Sequence, residues 1–346
     1  MDHANTKKVQ KLSTMLTQQA MQQIRIASEA SLFYFSTVVL GRKWLSPVLH
    51  RDMAEFMTAR GAWAHTADRR RRLELIPRDH VKTTLVKDQI LHLAIQPADS
   101  NIYFPGTPGI DCRTILAGET TKNASRHLRS VEDVVEQNKL FQALWPHVRP
   151  GRKWSESEMS LQRQSNYSEV FCEALGTDSA IASRHVDWVF CDDLVTFEAW
   201  QSPTVMERVR LWFAALEPIL DETENTQSRL LVTGTPWCES DVYKSIIDGD
   251  KEASAIDESQ WAIYQRSVIE NGVPIWPERF PLTRLRSIER TSRASGLWYY
   301  NWLCIYGSSE FSDLRPAWLQ RYALRGNEIV QLTTGTNDPY ATPASA

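Results

Sequence analysis

The sequence predicts an α/β fold in which helices flank a mainly parallel central sheet. From residue 73 to residue 233, short apolar runs alternate with longer amphipathic runs, a pattern typical of parallel strands joined by helices. The 346 residues are 42% hydrophobic and 23% charged, so the chain can bury a large core and is not globally disordered.

The elements follow in chain order. Residues 1–40 contain neither proline nor glycine and have helical character, which predicts a helical N-terminal arm. The predicted core elements are strand 73–76, helix 85–95, strand 114–117, a helix or helix pair over 120–145, strands 168–174 and 188–191, helix 204–220 and strand 230–233. Four segments result: the arm 1–43, a core 44–250, a C-terminal subdomain 251–332, and a tail or linker 333–346 rich in Thr, Pro, Ala and Ser.

Charge and cysteine content exclude several classes of protein. The 39 basic and 42 acidic residues give a net charge of −3, so nucleic-acid contacts must come from local basic patches. No apolar stretch reaches the roughly 18 residues that a membrane span needs, and the N-terminus does not resemble a secretory signal. The 5 cysteines form no CxxC pair, which indicates reduced thiols rather than a zinc site. We therefore expect a soluble intracellular protein without a membrane partner.

The loop after the first core strand carries the strongest chemical signal. A phosphate-binding loop needs backbone N–H groups at a helix N-terminus, a lysine for the phosphate oxygens and a hydroxyl for magnesium. Lys82 and Thr83 occupy those two places, and we expect Lys82 to be exposed when no ligand is bound. Val81 stands where the usual pattern has glycine, and an ordinary strand-to-helix turn with a solvated lysine explains the segment alone equally well.

Two carboxylates end a later apolar strand. Asp192 and Asp193 follow the run Trp188–Cys191 directly. Adjacent acids after a buried strand repel each other unless a cation compensates them. In a nucleotidase the first acid holds magnesium through water and the second polarises the attacking water. A solvated loop start is the alternative.

A third apolar strand ends in the turn Thr233-Gly234-Thr235, followed by Pro and Trp. In ATP-driven motors that act on nucleic acid, such a turn lies beside the γ-phosphate and relays hydrolysis to moving parts. A turn of no chemical importance is the commoner explanation of this short sequence.

The order and context of the three motifs resemble the large subunit of tailed-phage terminases, the ATPase that drives genome packaging. The resemblance runs from about residue 44 to about residue 322. It includes PRDHVKTT (77–84) as a variant Walker A motif, WVFCDDL (188–194) as Walker B, TGTPW (233–237) as the coupling motif, IWPERF (275–280) and the aromatic segment YYNWL (299–303).

The resemblance implies a P-loop NTPase of the additional-strand class that binds ATP and Mg²⁺. The implied phosphate-binding residues are Pro77, Arg78, Asp79, His80, Val81, Lys82, Thr83 and Thr84, together with Thr233, Gly234 and Thr235 of the coupling turn. Thr83 and Asp192 would bind magnesium, Asp193 would be the base in place of the glutamate of many relatives, and Arg78 would reach the γ-phosphate.

Other positions have weaker support. Arg126 and Arg129 lie where some relatives offer an arginine to the ATP of a neighbouring subunit, although solvated surface arginines are the simpler explanation. Pro47 and His50 lie where the family contacts adenine, with a packed aromatic and a solvated histidine as the alternative. The cluster Arg69–Arg72 would contact DNA phosphates or form a charged face at a strand start.

The resemblance also implies partners and a place of action. They are double-stranded DNA, a portal protein, a small terminase subunit and further copies in a ring on the portal, in the host cytoplasm and transiently at the procapsid. We expect the nuclease domain of such proteins to be absent from this chain; the sequence 337–340 only vaguely resembles the start of its first acidic motif. The alternatives are a helicase-like ATPase that depends on nucleic acid and a structural subunit that binds nucleotide without turnover.

Overall fold

A central sheet of eight strands organises the chain in the computed structural model. The strands are β1 (Arg71–Leu75), β2 (Thr114–Gly118), β3 (Pro150–Trp154), β4 (Glu158–Leu161), β5 (Cys172–Gly176), β6 (Trp188–Asp192), β7 (Arg229–Gly234) and β8 (Trp261–Gln265). Their order is β3-β4-β5-β2-β6-β7-β1-β8; the pairs β3–β4 and β4–β5 are antiparallel, and the other neighbours are parallel. The backbone is described for residues 3–220, 228–306, 321–325 and 328–332, and the side chains for 17–220 and 228–306.

Helices cover the sheet. They are α1 (His3–Ala30), α2 (Leu32–Tyr34), α3 (Leu49–Thr58), α4 (Lys82–Ala94), α5 (Thr121–Gln137), α6 (Lys139–Leu144), α7 (Phe197–Gln201), α8 (Pro203–Ala214), α9 (Val242–Ser254) and α10 (Leu282–Ser292). Two short π-helical segments, Phe35–Val39 and Trp298–Trp302, add to them. Among the described residues, no helix combines the length and the apolar character needed to cross a membrane.

The strand order confirms the predicted fold class. Strand β7 lies between β1, which precedes the lysine loop, and β6, which ends in the acidic pair. This insertion defines the additional-strand class of P-loop folds. Because parallel strands present their carboxyl ends at one edge of the sheet, the three motifs meet there.

Alternating side chains of the strands supply two apolar cores. On β6, Phe190 packs in the core that contains α4 and α5, whereas Val189 packs in the core that contains α8 and α9. Such alternation follows from the two-residue period of a strand. A sheet buried on both faces gives α4 a rigid base, which fixes where its N-terminus points.

The C-terminal half of α1 packs on the same unit. The indole Nε1 of Trp145 donates to Glu29 Oε1 at 3.2 Å, and buried His92 Nε2 lies 2.9 Å from the Ser28 carbonyl oxygen. Met21 and Ile24 contact the adjoining core. The predicted N-terminal arm is therefore helical, and several of its described side chains pack on the rest of the unit.

The chain beyond residue 250 adds a strand to the main sheet. Strand β8 pairs parallel with β1, and residues 1–306 form one compact unit. Two short antiparallel pairs follow, β9 (Ile269–Glu270) with β10 (Val273–Pro274), and, in the separate unit 307–346, β11 (Arg321–Arg325) with β12 (Glu328–Leu332). The domain divisions at 43, 250 and 332 remain predictions, and the segments 333–346 and 337–340 lie outside the described residues.

Candidate functional site

The loop between β1 and α4 has the form of a phosphate loop with a strained last residue. Val81 caps α4 with φ +73° and ψ +13°, in the left-handed region that the usual glycine would adopt without strain. A β-branched residue there is a genuine outlier. The chain therefore makes a left-handed turn at Val81, and Lys82 becomes the first residue of the helix.

The predicted lysine is buried. Lys82 is 5% exposed, and its ammonium donates to Thr235 Oγ1 at 2.7 Å and to the Ile76 carbonyl at 3.3 Å. Asp193 Oδ1 lies 3.9 Å from the same nitrogen. Our expectation that Lys82 is exposed without a ligand is wrong, because the helix N-terminus places its side chain against the carboxyl ends of β1 and β7.

The acidic pair divides into a buried and a half-exposed carboxylate. Asp192 is 5% exposed and accepts from Thr233 Oγ1 at 2.9 Å. Burial, and next to it the charge of Asp193, raise the pKa of Asp192 to about 6, although the Thr83 hydroxyl also hydrogen-bonds it. The side chain of Asp193 is 46% exposed, and its backbone has φ +47°.

The coupling turn connects the two motifs. Thr233 donates a hydrogen bond to Asp192, and Thr235 accepts one from Lys82. Between them Gly234 is required, because a Cβ there would collide with the ring of Tyr243. The hydroxyl oxygen of that tyrosine accepts from the Val195 backbone N–H at 3.3 Å, so it ties the turn to the loop after Asp193.

These elements surround a polar cleft of about 340 Å³. Its lining residues are Trp44, Arg78, Asp79, Val81, Lys82, Thr83, Thr84, Asp193, Thr235 and Arg279. The Arg78 guanidinium also lies 5.0 Å from the ring centroid of Trp237, the residue that closes the coupling motif. The cleft thus joins all three predicted motifs through side chains that come from distant parts of the sequence.

Phage large terminases are among the solved structures similar to this chain. The HK97 bacteriophage large terminase matches with a TM-score of 0.46 and 15% identity over 74% of this chain and 49% of its own. The ATPase domain of the Thermus phage P74-26 large terminase matches with a TM-score of 0.38 and 13% identity, over 67% of this chain and 87% of its own. This chain therefore spans about half the length of the HK97 protein.

Two sequence comparisons give no match. Neither a known family model nor a curated protein sequence corresponds to this chain.

Some of the predicted site residues do not line the cleft. They are Pro77, His80, Asp192, Thr233 and Gly234. The His80 ring is buried and stacks on Phe280 at 4.7 Å between centroids, and burial lowers its pKa to about 4. His80 therefore packs behind the loop, and Asp192 and Thr233 bond each other at the strand ends.

Other predicted residues lie elsewhere. His50 is 0% exposed and packs edge-on against Trp276, with 4.4 Å between ring centroids. The alternative prediction of a solvated histidine is therefore wrong. From the same segment it is Trp44 that lines the cleft. Arg72 is 2% exposed and donates to the Phe56 carbonyl at 2.9 Å, so it forms part neither of a DNA-binding cluster nor of a charged face.

The two candidate finger arginines lie in a different cleft. Arg126 and Arg129 line a cavity of about 890 Å³ along α5, and Arg129 pairs with Glu132 at 3.2 Å. Neither lines the cleft of Lys82. Within one chain they therefore do not belong to the phosphate site.

Besides Trp44, sequence reasoning missed a second cleft residue, Arg279. Arg279 belongs to the IWPERF stretch (275–280), which serves in the sequence analysis only as part of the resemblance to terminases. The sequence around Arg279 contains no phosphate-binding motif. Arg279 approaches the phosphate loop only through tertiary packing.

Proposed function

We propose that this chain is the ATP-hydrolysing motor of viral DNA packaging, a terminase large subunit that translocates double-stranded DNA into a procapsid. The observation that carries the proposal is the convergence of Lys82, Thr83, Asp193 and Thr235 on one polar cleft. Two of these side chains are already connected, since Lys82 bonds Thr235 at 2.7 Å. A nucleotidase needs this combination of cation, hydroxyl and acid around its phosphates.

The residues also fit a magnesium ion. Two adjacent carboxylates, of which the buried one has a raised pKa, are an arrangement that a divalent cation would stabilise. Thr83 and Asp192 would hold it, Asp192 through water. When bound, the ion neutralises charge on the phosphate oxygens.

The residues of the chain then have separate tasks. The Lys82 ammonium exchanges its contact with Thr235 for the phosphate oxygens. Asp193 lines the cleft with a half-exposed carboxylate, so it orients a water molecule and accepts its proton as the oxygen attacks the γ-phosphorus. Arg78 stabilises the charge on the transferred group, and ADP and phosphate are released.

The coupling turn would transmit hydrolysis at the phosphates to a conformational change elsewhere in the chain. Thr235 loses the ammonium when Lys82 moves to the phosphates, while Thr233 stays bonded to Asp192. The turn and the loop after Asp193 are linked through Tyr243. The packaging role itself, with its portal, small subunit, DNA and ring partners, rests on the motif resemblance.

Phosphate release with and without double-stranded DNA tests the proposal. Asp193→Asn should retain Mg-ATP binding and slow turnover by about 10² or more. Asp192→Ala should weaken binding as well, as measured by titration calorimetry. Asp99→Asn, an exposed change outside the cleft, is the matched control.

The outcomes also separate the alternatives. Turnover stimulated by single strands but not by duplex would favour a helicase-like ATPase. Tight Mg-ATP binding without turnover under any condition would identify a structural nucleotide-binding subunit. Equal loss of affinity in both aspartate variants would contradict their division of labour.

A further inference from the structure

Arg279 brings a third positive charge to the phosphate cleft. Together with Arg78 and Lys82 it lines the 340 Å³ cavity, although it lies far from both in the sequence. Within the described residues, its guanidinium has no salt bridge to a carboxylate (N···O within 4.0 Å). A cation that faces a polar cleft without an ion-pair partner is well placed for an anionic ligand, although Asp79 and Asp193 also line this cleft.

An aromatic stack holds the Arg279 segment against the phosphate loop. Phe280 stacks on His80 of the loop at 4.7 Å and 11° between planes, and Trp276 meets the same histidine at 5.9 Å. All three rings are buried, Phe280 and His80 completely. Since His80 lies two residues before Lys82, this stack fixes residues 276–280 to the loop that carries the lysine.

The same rings orient Arg279 itself. Its guanidinium carbon lies 5.3 Å from the Trp276 ring centroid and 5.8 Å from that of Phe280. Cation–π contacts hold a guanidinium in place while leaving its N–H donors available. The Arg279 charge also contributes, after burial and larger effects of other groups, to the lowered pKa values of His50 and His80.

We propose that Arg279 is a phosphate-contacting residue that binds the polyphosphate of the nucleotide in cis, alongside Lys82. The inference rests on the proposed nucleotide function and adds a residue to it. A guanidinium presents several N–H donors in a planar fork, which suits the oxygens of a phosphate chain better than a purine ring edge. The stack on His80 then couples the 276–280 segment to the state of the loop.

Binding of inorganic tripolyphosphate tests this proposal without relying on hydrolysis or on adenine. Calorimetry should show that Arg279→Gln weakens tripolyphosphate and ATP binding by about 10-fold or more, as expected for loss of a charged hydrogen bond. AMP binding should change much less. Arg279→Lys should fall in between, because it keeps the charge and loses the fork.

Arg286→Gln is the matched control. Arg286 is exposed on α10 and does not line the cleft, so its loss should leave both affinities unchanged. Arg279 is exposed, and thermal unfolding should show Arg279→Gln folded as the parent.

The failure modes are distinct. If the parent protein binds neither tripolyphosphate nor ATP, the nucleotide function itself is wrong, and this inference falls with it. If the parent binds both and Arg279→Gln binds tripolyphosphate equally well, only the role of Arg279 is refuted. An equal loss for AMP and ATP would place the guanidinium on the nucleoside and would also refute it.

Discussion

At the scale of single residues, Val81 shows how the loop keeps its shape without the usual glycine. A left-handed conformation costs a non-glycine residue about 1–2 kcal/mol, and the branched Cβ adds crowding. Val81 offsets part of this cost through apolar contacts, since it is half-buried against the core beside α4. The strain and the apolar packing both come from the Val81 side chain. Shortening this side chain should therefore separate their contributions to stability.

We predict that Val81→Gly is more stable than Val81→Ala, the reverse of the ordinary preference within a helix. Alanine loses the packing and keeps the strain, whereas glycine loses the packing and relieves about 1 kcal/mol of strain. Urea unfolding of the two variants and the parent measures the order. A more stable alanine variant would show that the loop is unstrained at this position.

The burial of Lys82 changes what its substitution should do. Lys82→Ala removes the donor to Thr235 and leaves a gap, so we expect a loss of about 1–3 kcal/mol of unfolding free energy. Lys82→Met keeps the apolar stem and should cost less, yet both variants should lose ATP turnover. Denaturant unfolding combined with a phosphate-release assay checks this. Parent-level turnover in Lys82→Met would refute the Walker A assignment.

At the scale of the elements, a row of polar side chains crosses four neighbouring strands. Register places Asp192 of β6 beside Thr233 of β7, Thr233 beside Glu74 of β1, and Glu74 beside Tyr264 of β8. Glu74 is 0% exposed, and within the described residues its two oxygens have no hydrogen-bond partner. Burial raises its pKa to about 8, with a further contribution from Asp192.

This carboxyl should make stability depend on pH. Its pKa is 4.5 when exposed and about 8 when buried, so between these values the folded protein holds a proton that the unfolded chain has lost. Its contribution to stability is therefore complete below pH 4.5 and is lost as pH rises towards 8. Glu74→Gln should remove that loss and be more stable than the parent at pH 8, on the order of a few kcal/mol.

Thermal or urea unfolding of the glutamine variant at several pH values between 5 and 8 provides the measurement. Glu252→Gln, an exposed change on α9, is the control and should follow the parent at every pH. If the difference between Glu74→Gln and the parent does not grow with pH, the buried carboxyl is not neutral.

The sequence predicted the elements whose periodicity is local. The strands around residues 73, 115, 190 and 231 and helices α4, α5 and α8 all appear near their expected positions. The predicted strand 168–174 begins only at Cys172, because the residues before it lie in the connection from β4. Strand β8 was missed, since its short run follows a region rich in polar residues and its stability comes from pairing with β1.

At the scale of the whole molecule, contacts between distant segments account for what the sequence did not reveal. Lys82 and Asp192 could be predicted as site residues because their motifs are short continuous sequences. The burial of Lys82, the packing of His50 and the approach of Arg279 depend on how loops fold over one sheet edge. Such placements follow from tertiary packing, which no spacing along the chain encodes.

The positions of the α5 arginines bear on how copies of the chain cooperate. Arg126 and Arg129 are absent from the lining of the Lys82 cleft and border their own cavity. The Arg129 side chain is 58% exposed, and its partners Glu132 and Asp133 are on its own helix. An exposed arginine outside its own cleft is available to a nucleotide in another copy. Ring assemblies bring such unlike surfaces together.

We therefore expect slow hydrolysis by isolated chains and a rise in specific activity with protein concentration, on DNA or on a portal. A finger arginine is worth about 10³–10⁵ in rate for related nucleotidases. Mixing Arg126→Ala or Arg129→Ala protein with Lys82→Met protein should restore part of the turnover, because the first supplies an intact phosphate cleft and the second supplies the arginine. Each variant alone, at the same total concentration, is the control. Concentration-independent activity that neither arginine change affects would mean that Arg78 and Arg279 suffice in cis, and that the coupling between copies runs through another surface.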